Sequence, residues 1–271
     1  MTWICSKLVR DWTNNPFVIE ADSNLQAMRY AHFRQNSSTE SAVLINLQGL
    51  DDAEAVTHFS MWAMMSSPLI IGTDVRTLSP TNLAIYTNPA VIALNQDSSA
   101  TAATRIWQRP CTEYDSNMQC ETNLWVRQLA NGDFAIALLN GANNTMNMTA
   151  TAQDIFIYQD LTGTSKPAPQ LSATWDVYDL WANRMSVAEA QAILSANSSV
   201  NAQVAANSTT RWNATRTSYA DGITANATAL IGSVIGRLEP SGTITAEVGR
   251  HSVGLFRLRQ VAAGIKRRDE L

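Results

Sequence analysis

The chain is poor in the residues that most often mark a cofactor site. Among 271 residues there are only three histidines and three cysteines. His32, His58 and His251 stand at no metal-ligand spacing from one another or from a cysteine, which argues against a zinc centre. No glycine-rich phosphate loop and no Ser-His-Asp order occurs either, so no cofactor and no metal are expected. A run of 18 apolar residues is absent, and with it any expected transmembrane helix. Positive charge is short as well: 19 Lys and Arg against 23 Asp and Glu leave a net charge of −4. That balance argues against nucleic acid or an anionic membrane as partner. The opening Met1-Thr2-Trp3-Ile4-Cys5-Ser6-Lys7 lacks the basic start and apolar stretch of a signal peptide.

What is present points to a globular, secreted-type body. Apolar residues make up 45% of the chain, enough for a sizeable core, and its length allows two domains. Eight tryptophans suit both cores and sugar rings. N-x-[ST] sequons stand at Asn36, Asn143, Asn147, Asn197, Asn207, Asn213 and Asn226, where composition alone predicts about four. Cys111 and Cys120 bracket a short polar loop and read as a local disulfide, with Cys5 left over. A secreted-type composition without a leader points to missing N-terminal sequence. The last residues, Arg268-Asp269-Glu270-Leu271, differ by one residue from a KDEL-type retrieval signal. The natural protein is therefore expected in the secretory pathway or outside the cell.

Residues 1–48 carry little consistent pattern beyond a helical spacing over Asn24–Gln35 and a short apolar run, Val43-Leu44-Ile45. From Leu50 the signals sharpen. Asp51 and Glu54 form a capping-box pattern, Val56, Phe59, Trp62 and Ala63 share a helical face, and Pro68 ends the helix. Leu69-Ile70-Ile71 reads as a short buried strand, Ser79-Pro80 as the start of the next helix, and 88–97 as a buried strand or turn. After Asp97 the period becomes alternating. Leu124–Leu129 and Phe134–Asn140 flank Asn131-Gly132, a hairpin signal. Thr145–Thr149, Thr174–Leu180, Thr243–Val248 and Ser252–Leu258 are further strand candidates, with Ile244, Ala246 and Val248 on one face. Residues 186–230 interrupt them: Ser186 and Glu189 open a short helix, and a polar, loosely packed excursion follows.

THFSMWAMMSSPLIIGTD (57–74), NPAVIALNQD (88–97), LANGDFAIALLN (129–140) and WDVYDLWANR (175–184) together resemble the C-terminal portion of fungal α-galactosidases of glycoside hydrolase family 27. The resemblance covers roughly residues 50 to 259. It implies an α/β plus all-β fold: a remnant of a (β/α)8 barrel over 1–98, then a C-terminal antiparallel β-sandwich over 99–260 and a charged tail, 261–271. It also implies hydrolysis of terminal α-D-galactosyl residues in oligosaccharides or glycoconjugates. Residues 69–71 would be the eighth barrel strand.

Retaining glycosidases need a nucleophilic carboxylate and an acid/base carboxylate about 5–5.5 Å apart. The family's nucleophile motif, Y-x-K-x-D-N-C, and its acid segment, W-R-x-x-x-D, do not occur here; Arg10-Asp11-Trp12 is a faint echo. In the seventh-strand motif D-x-D-M-L-x-V-G the second aspartate falls at Ser41. Chemistry from this chain alone is therefore not expected. Asp74, just past the expected eighth strand, is the one catalytic candidate, set against a loop-capping role. Asp97 reads as structural, and Glu20 with Asp22 as an unsupported pair. The alternative is a non-catalytic β-sandwich protein, either structural or binding glycans through tryptophans such as Trp107 or Trp212.

Overall fold

The computed structural model describes residues 50–69, 71, 74–110, 121–156, 169–195 and 208–261. Asp51 caps helix α1 (Asp52–Met64): its carboxylate accepts from the Glu54 N–H at 2.9 Å, and the Asp51 N–H donates to the Glu54 side chain at 3.2 Å. Ser79 caps α2 (Pro80–Tyr86) in the same way, through the Asn82 N–H at 3.1 Å with proline at the first position. A second proline start, Asn88-Pro89, follows at once. Asn88 Oδ1 accepts from the N–H groups of Ala90 and Val91, and α3 runs over Pro89–Asn95. The expected strand or turn at 88–97 is therefore a helix, because a capped proline start outweighs a short apolar run that fits either element.

Of the expected buried strand at Leu69–Ile71, Leu69 is half-buried and Ile70 lies outside the described residues. Ile71 makes a single bridge and is 44% exposed. No described strand lies beside it as a parallel neighbour.

Eight strands follow among the described residues. β1 (Thr104–Pro110), β2 (Glu121–Gln128), β3 (Phe134–Asn140), β5 (Trp175–Asp179), β6 (Ser233–Leu238) and β8 (Val253–Gln260) form one antiparallel sheet in the order β1-β2-β3-β8-β5-β6. β4 (Met146–Thr151) and β7 (Thr243–Val248) pair separately. The β2–β3 turn holds Asn131 at φ 61° and Gly132 at φ 78°, left-handed positions that suit these two residues. The sequence pattern missed β1, exposed at its end, and β6, exposed through its middle, because neither shows a clean apolar alternation.

Three layers result. Leu124, Val126, Ile136, Leu138, Phe256 and Leu258 face the β4–β7 pair, together with α4 (Ala152–Phe156). Trp125, Leu129, Ala135, Ala137, Leu139 and Leu255 face α1, α2 and α3 on the other side. Every residue of β3 is consequently buried, and its sequence, FAIALLN, runs apolar through six residues instead of alternating. Asn140, fully buried, ties the two sheets: its Nδ2 donates to Val248 O at 3.0 Å and Gly249 O at 2.8 Å.

The interruption holds α5 (Val187–Ser195), α6 (Tyr219–Thr224) and α7 (Thr228–Ile231). Its second part is not the loose excursion expected. Ile223, Leu230 and Ile231 are buried against Ala93 of α3, with Trp212 and Tyr219 packed around them. Short Ser- and Ala-capped turns supply few apolar residues, so periodicity alone hides this small core.

Candidate functional site

The structure assigns Asp74 a local task. Its carboxylate caps a 3-10 turn by accepting from the Arg76 N–H at 3.0 Å, and it pairs with the Arg76 guanidinium at 2.7 Å. The Arg76 side chain, and then its N–H, hold the Asp74 carboxyl below the usual carboxylate range. This is an ionised, exposed loop cap. Asp97 is likewise structural: Oδ1 accepts from the N–H groups of Ser99 (3.0 Å) and Ala130 (2.8 Å).

Other described carboxylates are also tied into the frame. Asp52 meets Arg184 through two contacts of 2.8 and 2.6 Å, Asp133 meets Arg259, and Asp176 meets Arg237. Asp154 caps at Thr151, Asp221 at Ser218, and Glu189 accepts from Thr210. Asp179 accepts from the Trp181 N–H at 2.8 Å; burial raises its pKa, and the N–H groups of Trp181 and Ala182 oppose that shift. None of these geometries pairs two carboxylates across an open space.

The histidines play structural parts as well. His58 Nε2 accepts from Trp62 Nε1 at 3.2 Å, and His251 lies 3.1 Å from both Glu54 and Asn143. Among the described residues no group of three or more His, Cys, Asp or Glu is placed to hold a metal. No described helix is long and apolar enough to cross a membrane.

Trp212 is half-buried in the insertion core, with Nε1 donating to Thr217 O at 3.0 Å. Trp107 packs on the sandwich core, and the Arg109 guanidinium covers its ring at 4.2 Å. Both rings are partly buried. Asn143, Asn147 and Asn226 are exposed and Asn213 is half-buried. His32, Glu20, Asp22, Asn36, Asn197, Asn207, Cys111, Cys120 and the 266–271 tail lie outside the described residues.

The sequence reading passed over a buried charge network between the sheet and the helices. Arg127 on β2, 1% exposed, donates through Nη1 to Ala63 O at 2.8 Å and to Leu94 O at 2.9 Å. It thus satisfies carbonyls at the C-terminal ends of both α1 and α3, where a cation is favoured. Arg257 on β8 reaches Asp133 at 3.4 Å, and Arg259 holds the same carboxylate at 2.7 Å. Burial lowers the Arg257 pKa to about 10, so the guanidinium stays charged at neutral pH. An arginine at the inward period of a strand, between Trp125 and Leu129, was the available signal.

WDVYDLWANR completes the joint between layers. From β5 the chain turns so that Trp181 Nε1 donates to Ser60 Oγ on α1 at 2.9 Å, and Arg184 clamps Asp52 at the start of the same helix. Asn88 Nδ2 adds a bond to Leu180 O at 3.2 Å. The result is an antiparallel β-sandwich bolted to the capped helices of an incomplete α/β layer. That combination is an all-β module joined to a helical layer that precedes it in the chain.

Comparison with known proteins agrees. The model "Alpha galactosidase A" matches residues 12–97, and "Alpha galactosidase C-terminal beta sandwich domain" matches residues 119–214. An α-galactosidase of Torulaspora delbrueckii is 43% identical over 216 residues, covering 80% of this chain and 43% of its own length. One from Lachancea cidri is 44% identical over 215 residues, covering 79% and 43%. The solved α-galactosidase of Saccharomyces cerevisiae with raffinose superposes with a TM-score of 0.71 at 38% identity, over 81% of this chain and 46% of that one. The chain corresponds to a C-terminal portion of the fungal α-galactosidase family, glycoside hydrolase family 27. It spans less than half the length of the relatives it matches.

Proposed function

We propose that this chain is the C-terminal part of a retaining α-galactosidase acting on terminal α-D-galactosyl residues, and that it does not turn over substrate alone. The observation carrying this reading is the engagement of its described carboxylates. Asp74, the catalytic candidate, caps its own loop and pairs with Arg76. Asp52, Asp133 and Asp176 are matched to arginines, and Asp97 to backbone N–H groups. A covalent glycosyl intermediate needs one carboxylate free to attack and another free to deliver a proton. The nucleophile and acid motifs of the family are absent from the sequence. No cofactor enters this chemistry.

On this reading the sandwich and helices supply the frame against which the rest of the barrel folds, with domains dividing near residue 98. The galactoside would be held at the missing strands, so the natural substrate enters through the longer protein. Exposed sequons at Asn143, Asn147 and Asn226 support a glycosylated protein of the secretory pathway, with Cys111–Cys120 as its local disulfide. Oligomeric state is left open.

The test is hydrolysis of an aryl α-galactoside by the purified chain, with folding established by circular dichroism. The expected result is no release above a matched blank. Turnover by folded material, abolished by Asp74→Asn, would overturn the proposal and move Asp74 into the chemistry.

A further inference from the structure

Arg127 Nε, Arg257 Nε and Arg257 Nη2 are buried with no hydrogen-bond acceptor. Both side chains are 1% exposed. An unanswered donor at such depth is costly, the more so when charged, so three of them need an explanation. Their register supplies one. Arg127 and Arg257 both pair with Ala135, from opposite sides of β3. They therefore stand in one row on the helix-facing side, about 10 Å apart at the backbone, with only a methyl group between them. Trp125 Nε1, in the adjoining row of the same face, is a further buried donor without an acceptor.

The nearby carboxylates do not close the account. Asp133 is gripped by Arg259 through Nε and Nη2 and reaches Arg257 only at 3.4 Å, through Nη1. Asp97 gives Oδ1 to two backbone N–H groups. Ala63 O and Leu94 O engage Nη1 of Arg127, not its Nε. Across the cluster, Arg127, Arg257 and Arg259 face Asp97 and Asp133, which leaves one positive charge in excess.

Guanidinium and indole N–H groups donate and never accept. A cation is excluded from such surroundings. A water molecule could accept one of these N–H groups but would leave the excess positive charge uncompensated. We propose that one monovalent, halide-sized anion sits over Ala135 and bridges the guanidinium groups of Arg127 and Arg257. In ordinary solution this is chloride. The anion supplies the missing charge and joins β2 to β8 beneath the ends of α1 and α3, so it strengthens the seam between helices and sheet.

Crystals of the same chain grown in bromide give the direct test. An anomalous peak is expected within about 3.5 Å of nitrogens from both arginines, the reach of a charged N–H contact. Absence of that peak, or an oxygen-sized water in its place, would overturn the proposal. In solution, bromide at constant ionic strength should raise the melting temperature by about 2–4 °C and saturate, while bulky gluconate should not. Arg257→Met should lose the response. Equal responses to bromide and gluconate would count against the site even if the variant failed to fold.

Discussion

Asp133 is 4% exposed and receives two arginines, Arg257 and Arg259, from the same strand. Removing it leaves both guanidinium groups without their carboxylate in a largely dry interior. Breaking a buried pair by deleting one partner costs about 3–5 kcal/mol, because the remaining charge loses its compensation. Asp133→Ala should therefore lower the denaturant midpoint by an amount in that range. Asp176→Ala, whose partner Arg237 is mostly exposed, should cost below about 1 kcal/mol. Equal losses in urea unfolding would mean that burial does not set the energetics of these pairs. The contrast also explains why Asp133 escaped notice in the sequence. In the turn signal Asn131-Gly132-Asp133 it reads as a hairpin residue, and nothing local announces two arginines arriving from more than 120 positions downstream.

At the scale of elements, caps and glycines separate two kinds of constraint. Asp51 carries the reciprocal bonds of a capping box at the start of α1, and Asp51→Ala should cost about 1 kcal/mol. Gly132 and Gly232 both have positive φ, 78° and 86°. A Cβ on Gly132 would meet nothing within 4 Å, whereas one on Gly232 would sit 2.3 Å from Asp179 O. Gly132→Ala should then show only the left-handed penalty, about 1–2 kcal/mol. Gly232→Ala must in addition move the backbone at the end of β5, and should lose at least twice as much in thermal unfolding. A smaller loss at Gly232 than at Gly132 would contradict the close approach.

Elements with their own chemistry were legible in advance for the same reason. The Asp51 box, the Ser79-Pro80 start and the Asn131-Gly132 turn each rest on two or three neighbouring residues, and each forms as read. Ile244, Ala246 and Val248 do turn one face inward, though Ala246 is only partly buried. A parallel strand such as the one expected at Leu69–Ile71 is defined by neighbours, not by its own apolar run, and Ile70 lies outside the described residues. α3 was misread because PAVIALN satisfies a buried strand and a short helix equally until the Asn88 cap is weighed. The candidate site divides along the same line. Asp74 as a loop cap needed only Arg76 two residues on, while the Arg127 and Arg257 seam depends on strands brought together by the whole sheet.

The whole molecule is held across its layers by contacts that differ in their response to acid. Trp181 to Ser60 and Asn88 to Leu180 are neutral, so pH leaves them alone. Arg184 to Asp52 is not neutral. The hydrogen bond from Arg184 holds the Asp52 carboxyl below its ordinary range, against a smaller opposing effect of burial. A carboxyl with a lowered folded pKa binds its proton more readily in the unfolded chain. Its contribution is therefore complete above the unfolded value, near 3.8, and is lost as pH falls through the lower folded value. Arg184→Met removes that difference. The wild-type melting temperature should fall more steeply than the variant's below about pH 4, and the two curves should run parallel from pH 5 to 7. Because Asp52 is well exposed, the acid-side gap should be modest. Parallel curves down to pH 2 would show that the Arg184 clamp fixes the geometry of the seam without contributing to its stability.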